Sequence, residues 1–288
     1  PTERVSTGIG ALDEMLGGGG LYRGSTVLIS GTAGTGKSSL SAALAEATGK
    51  RNERTLYFAF EESPRQIIRN MKTIGIDLQP LVKKELLRFV AARPTAHGLE
   101  AHLTPFHKHL REFDPEMVVI DPITNFVSTG QAGEVQAMLT RLIDTLKSSA
   151  AITVMTSLTS GGQNQEATEI GVSSLVDTWM VLRDIELNRE GNRGMFVLKP
   201  RGMAHSNQSR EFLVPSRGLR LVEAYLGSEG VLTGSARLAQ EARDQAAVRL
   251  GRSEIERKQR EIKQRWSAFD ARVAALRTAL DLEVSTLL

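Results

Sequence analysis

Residues 25–50 read STVLISGTAGTGKSSLSAALAEATGK, and the fold turns on how they are divided. STVLISG (25–31) is a short, largely β-branched apolar run, the pattern of a buried strand. SSLSAALAEATGK (38–50) has the composition of a helix. Between them GTAGTGKS (31–38) fits the pattern G-x-x-x-x-G-K-[ST], and it does so between a strand and a helix, where that pattern binds phosphate. Gly31, Gly34 and Gly36 let the backbone N–H groups curl around phosphate oxygens, and the helix start adds the positive end of its dipole. The expected phosphate-binding set is Thr32, Ala33, Gly34, Thr35, Gly36, Lys37, Ser38 and Ser39. Lys37 should reach the β- and γ-phosphates, and Ser38 should ligate Mg²⁺.

Outward from this loop, apolar runs alternate with amphipathic stretches. Strands are expected over 55–62 (TLYFAFEE), 85–92, 117–123 (MVVIDPI) and 151–158 (AITVMTSL). Helices are expected over 64–71, 98–113 and 133–148. Strands joined by helical crossovers imply an α/β fold with a mostly parallel sheet covered on both faces. Residues 175–202 read as a hairpin with its turn near 190–194, and 209–222 as one or two short strands more. The expected division is an ATPase-like domain over 1–231 and a helical tail over 232–288.

Several acids and hydroxyls end strands, where chemistry in such a sheet collects. Asp121 closes MVVID and should hold the Mg²⁺ shell beside Ser38, with Glu61 as a further metal candidate; the alternative is a turn cap. Glu61 and Glu62 end a strand expected close to the phosphate-loop strand, so one of them can orient or deprotonate a nucleophile. Their alternative role is to favour the dipole of the following helix. Thr156 and Ser157 are either γ-phosphate sensors or ordinary strand-end hydroxyls. Lys199 and Arg201, in LKPRG, either reach a neighbouring subunit's phosphates as a finger or sit in a solvated turn. The five histidines, at 97, 102, 107, 109 and 205, show no metal-binding spacing.

Composition narrows the classes. The 288 residues are 41% hydrophobic and 24% charged, enough to bury a core. With no cysteine, disulfides, thiolate metal sites and thiol catalysis are excluded. No apolar run approaches the ~18 residues of a membrane span, and the start PTERVSTGIG has no signal pattern, so a cytoplasmic location is expected. Residues 235–288 carry 11 Lys/Arg and 8 Asp/Glu, which accounts for the whole net charge of +3. The body is therefore neutral, and nucleic acid is not expected as a partner. The loop 160–174 has no Lys, Arg or aromatic residue, which also argues against a nucleic-acid motor. A break is expected at Gly251. Beyond it Ile255, Ile262, Trp266, Phe269, Val273, Leu276 and Leu280 repeat mainly at alternating steps of 4 and 3, which reads as a coiled-coil seam for self-association; the alternative is an amphipathic helix packed on its own domain.

These motifs, in this order, resemble the KaiC family of RecA-type ATPases over about residues 4–225. The resemblance rests on STGIGALDEMLGGGG before the phosphate loop, FAFEESPRQIIRN, RPTAHGLEAHL, VVIDPITNF, VSSLVDTWMVL and KPRGMAHSNQSREF. It implies a RecA-like P-loop fold, hexameric rings and ATP, with Mg²⁺, bound between subunits. It is nearest to the family's autokinase type of domain, which implies Ser173 and Ser174 as phosphoacceptors and Thr168 as a neighbour that handles phosphate. Glu61 is then the general base with Glu62 beside it, and Lys199 and Arg201 touch the adjacent subunit's nucleotide. Three departures stand out. There is one P-loop domain, as in a single-domain homologue or one half of a tandem protein. Ser174 stands where threonine is usual, and a long heptad tail replaces a short one. The tail implies pairing of two rings, a dodecamer; a clock or signalling partner is the remaining expected contact. A nucleotide-gated scaffold with negligible turnover is the other alternative.

Overall fold

The computed structural model describes residues 3–91, 99–129, 132–159, 172–187, 190–201, 209–216, 218–223, 225–227, 230–232 and 234–287. The chain divides into two compact units, Pro1–Thr233 and Gly234–Leu288.

The first unit opens with a small antiparallel pair, β1 (Arg4–Val5) and β2 (Leu21–Tyr22), around helix α1 (Gly10–Met15). The next elements are β3 (Thr26–Gly31), α2 (Lys37–Lys50), β4 (Thr55–Ala59), α3 (Pro64–Thr73), α4 (Gln79–Lys83) and β5 (Leu87–Ala91). Then follow α5 (Leu99–Phe113), β6 (Met117–Asp121), a 3₁₀ helix (Ile123–Thr129), α6 (Ala132–Ser148) and β7 (Ile152–Leu158). A second 3₁₀ turn (Val172–Ser174) leads into β8 (Thr178–Leu187), β9 (Glu190–Pro200), β10 (Arg210–Leu213) and β11 (Arg220–Glu223). A separate two-stranded pair, β12 (Tyr225–Gly227) and β13 (Gly230–Leu232), closes the unit.

The main sheet has nine strands in the order β11-β10-β9-β8-β3-β7-β6-β4-β5. From β8 to β5 every pairing is parallel, and β9, β10 and β11 add antiparallel strands at one side. The central parallel strands β3, β4, β6 and β7 are buried on both faces, as helical crossovers require. Alternate residues serve two separate cores. Val27, Ile29, Tyr57, Val119 and Val154 pack with Leu40 and Leu44 of α2. Leu28, Phe58, Val118, Ile120 and Met155 pack with Leu139, Leu142 and Leu146 of α6. This is an α/β, RecA-like P-loop fold.

Three local expectations are corrected. The strand TLYFAFEE stops at Ala59, so Glu61 and Glu62 lie on the turn beyond it, and Ser63 caps α3 in a capping box with Gln66. That strand is not close to the phosphate-loop strand, since β7 and β6 stand between β3 and β4. The pairing of Leu187 with Glu190 places residues 190–194 inside β9 rather than in a turn.

The second unit is one helix, α7 (Gly234–Leu287), unbroken at Gly251. A helical glycine costs about 1 kcal/mol relative to alanine, and the strong helix formers around it outweigh that cost. Ile255, Ile262, Trp266, Phe269 and Leu276 are exposed. Trp266 and Phe269 meet edge to face at 6.1 Å. Among the described residues no helix is long and apolar enough to cross a membrane.

Candidate nucleotide-binding site

The parallel strands all end at one edge of the sheet. There the turns after β3, β4, β6 and β7 meet, the place where open α/β sheets bind ligands. The phosphate loop needs backbone that only glycine adopts readily: Gly34 has φ +82° and Gly36 φ +99°. A Cβ on Gly36 would also lie 2.6 Å from the ring of Phe212, which packs beneath the loop from β10. Lys37 is buried at the start of α2, and its ammonium donates to the carbonyls of Gly31 at 2.9 Å and Thr32 at 2.7 Å. Burial lowers its pKa, while Asp121, then Glu61 and Asp184, oppose that shift. The Thr35 hydroxyl donates to the Thr32 carbonyl at 2.9 Å, and the Thr32 hydroxyl to Asp184 at 3.2 Å.

A cleft of about 390 Å³ opens beside the loop. Ala33, Gly34, Gly36, Lys37, Ser38 and Ser39 line one wall, and Glu61, Glu62 and Asp121 face them, with Met71, Pro122 and Leu158 completing it. Glu62 accepts from the Asn70 amide on α3 at 3.1 Å, so α3 holds one of the two acids. The Glu61 carboxyl is raised above the ordinary 4.5, first by desolvation and then by the negative charge of Asp121; Lys37 opposes this and Glu62 adds to it.

A base acts only when deprotonated. Turnover that depends on Glu61 as a base is therefore expected to fall as the pH drops toward a value above the ordinary 4.5. A profile still flat at that pH would show that Glu61 is not the titrating group. The same raised pKa means that the folded state holds this proton more tightly than the unfolded one. Glu61 therefore destabilises the fold above its folded pKa, and the effect vanishes below its unfolded value.

Asp121 is nearly buried and lies one strand from each of two hydroxyls. The Tyr57 phenol on β4 donates to Oδ2 at 2.6 Å, and the Thr156 hydroxyl on β7 donates to Oδ1. Thr156 is thus occupied by Asp121 rather than aimed at a γ-phosphate. Ser157 is buried, with its hydroxyl near the Leu158 carbonyl at 3.4 Å. Neither supports the sensor role. Among the described residues no group of three His, Asp or Glu side chains could hold a metal unaided. One carboxylate and one helix-start hydroxyl are what Mg²⁺ uses when phosphates supply its other oxygens, so Ser38 and Asp121 fit such an ion.

Lys199, Arg201 and Ser174 lie elsewhere. Val27 pairs with Thr178, and Thr178 with Pro200, so the end of β9 and the start of β8 stand at the amino end of β3. From Val27 to Gly31 is about 13 Å at ~3.3 Å per residue. Lys199 and Arg201 are therefore remote from this chain's own loop. Arg201 donates to the Ser174 carbonyl at 2.8 Å, and its backbone N–H to the Asp177 carbonyl at 2.7 Å. Lys199 is lowered by desolvation and then by Arg201. Ser174 is exposed. The Ser173 side chain and Thr168 lie outside the described residues, as does most of the loop 160–174.

The family model for the KaiC ATPase matches residues 5–225. The chain belongs to the KaiC family. It is 45% identical over 280 residues to the circadian clock protein KaiC2 of Synechocystis sp., a match covering 96% of this chain and 49% of that protein. It is 31% identical over 233 residues to the circadian clock oscillator protein KaiC of Thermostichus vulcanus, covering 81% and 45% respectively. The circadian clock protein KaiC3 of Synechocystis sp. is 31% identical over 235 residues, covering 81% and 46%. The chain spans about half the length of these relatives. The KaiC2 match leaves out only 4% of the chain, about 12 of 288 residues, so it includes most of the 54-residue helix α7. Sequence reasoning missed Tyr57, Asn70 and Phe212 in this KaiC-family site. Each sits in an ordinary strand or helix pattern, and only tertiary pairing brings Tyr57 to Asp121, Asn70 to Glu62 and Phe212 to Gly36.

Proposed function

We propose that this chain is an ATP-hydrolysing serine autokinase that works in a hexameric ring. The supporting observation is the polarity of the subunit. The phosphate loop, Glu61 and Asp121 share a cleft at one end of the sheet, whereas Ser174, Lys199 and Arg201 stand at the other. Nucleotide and acceptor can then meet only when one subunit's carboxyl edge faces the next subunit's amino edge.

In that arrangement Lys37 and the loop amides hold the β- and γ-phosphates. Ser38 and Asp121 would hold Mg²⁺, which neutralises charge between those phosphates. Glu61 accepts the proton of a Ser173 or Ser174 hydroxyl from the neighbouring subunit. The serine oxygen bonds to the γ-phosphorus as the bond to the bridging oxygen breaks, and ADP leaves. With water in place of serine, the same steps hydrolyse ATP. Lys199 and Arg201 of the neighbour meet the charge that develops on the transferred group.

Intact-mass measurement after incubation with Mg-ATP, followed by peptide mapping, tests this. Phosphate is expected on Ser173 or Ser174, and none in Glu61→Gln. ATP consumption with no protein phosphate would leave an ATPase whose serines are structural. By resemblance to relatives named as clock proteins, the phosphorylated state would serve timing or signalling. The heptads of α7 would join two such rings.

A further inference from the structure

We propose that Tyr57 and Thr156 are positioning residues that fix the Asp121 carboxylate for a magnesium ion. The two hydroxyls come from the two strands that flank β6, and each takes a different carboxylate oxygen. Tyr57 and Thr156 are fully buried, and Asp121 is 9% exposed, so the bonds are shielded from competing water. A carboxylate offers about four acceptor positions. Two are filled from either side within the sheet, which sets the plane of the group and leaves the others for the cation's shell.

The surroundings hold the donors still. The Tyr57 ring packs on Phe89 at 5.1 Å. The β4–β6 register places Ala59 opposite Asp121, and the Phe60 N–H donates to the Asp121 carbonyl at 2.9 Å. The phenol is therefore a side-chain tie between the strand that carries the metal acid and the strand that leads into Glu61. Partners that orient a metal ligand in this way are worth about 10–100-fold in metal affinity. A purely structural reading uses the same contacts: a buried tyrosine needs a partner, and so does a buried aspartate.

The two readings part on magnesium dependence. This inference rests on the proposed role of Asp121 in holding the ion. The test is binding of a fluorescent ADP analogue to the full chain, titrated with Mg²⁺ and repeated in EDTA. In Tyr57→Phe and in Thr156→Val, the Mg²⁺ concentration that gives half the gain in affinity is expected to rise about 10-fold. Binding in EDTA should be unchanged, and Thr156→Ser should restore the normal response. Tyr57→Phe keeps the ring, so the test does not depend on the more disruptive valine. An unchanged Mg²⁺ response in Tyr57→Phe, with only thermal stability lowered, would overturn the inference and leave Asp121 in place. A wild-type protein that binds ADP equally with and without Mg²⁺ would overturn both.

Discussion

Arg201→Ala should lower ATP turnover by about 10³-fold, the lower end of what an arginine finger supplies, with little effect on nucleotide binding. Arg201 stands at the amino end of the strand whose carboxyl end carries the phosphate loop, so it cannot act on the nucleotide of its own chain. The decisive form of the experiment mixes two inactive proteins. Arg201→Ala subunits retain a complete cleft, and Glu61→Gln subunits retain the finger. In a randomly mixed ring about one interface in four pairs an intact cleft with an intact finger, because a head-to-tail interface takes one surface from each subunit. Turnover should recover to about a quarter of the wild-type rate. Mixtures as dead as their components would show that the finger and the base do not serve a shared interface. A fall in nucleotide affinity matching the fall in turnover would instead make Arg201 a ground-state binding group.

The second large effect concerns α7. Phe269→Glu is expected to halve the mass of the assembly, from twelve subunits to six, while ATP turnover per subunit stays unchanged. Phe269 is 58% exposed and Trp266 62%, and they stand at the middle of the heptad seam. Pairing with a second copy would bury them, and a glutamate there would be a buried charge without a partner. Charge favours antiparallel pairing. Centred between Trp266 and Phe269, it opposes Lys263 to Asp270 and Glu256 to Arg277, against one repulsion, Arg265 with Arg272. Parallel pairing opposes Lys258 to Lys263 and Arg272 to Arg277, and only Arg265 to Asp270 attracts. Six such pairs act together, so modest individual affinities suffice to hold two rings. Light scattering or sedimentation decides it. A wild-type protein that is already a hexamer would remove the ring-pairing role, and an unchanged mass in Phe269→Glu would remove the seam.

What the sequence disclosed and what it hid follow from the range of the interactions involved. GTAGTGKS is a local signal, and strand, loop and helix α2 appear where local patterning puts them. The position of Asp121 at the cleft was legible because an acid that ends an apolar strand of a parallel sheet lies at the edge where such sheets bind ligands. Strand order was not legible, because β3 and β4 carry the same buried pattern and nothing in either names its neighbours. The hairpin turn was misplaced because Glu190, Gly191 and Asn192 look like turn residues, whereas the ladder from Leu187 to Glu190 keeps them in β9. Tyr57 was hidden most completely. In TLYFAFEE it reads as one more core aromatic, and its hydroxyl acquires a task only through the parallel pairing of β4 with β6.

The opposite placement of the cleft and the finger has a geometric corollary. A head-to-tail contact uses one of two unlike ends from each subunit and leaves the other end open for a third, and a rotation that closes on itself turns such contacts into a ring. A ring closed in this way has a sense of travel, clockwise or anticlockwise. In the proposed ring each subunit's nucleotide would face the neighbour on one side, and its serines would face the neighbour on the other. The two neighbours of a subunit in such a ring are therefore not equivalent, and a change in one subunit meets a different surface on each side.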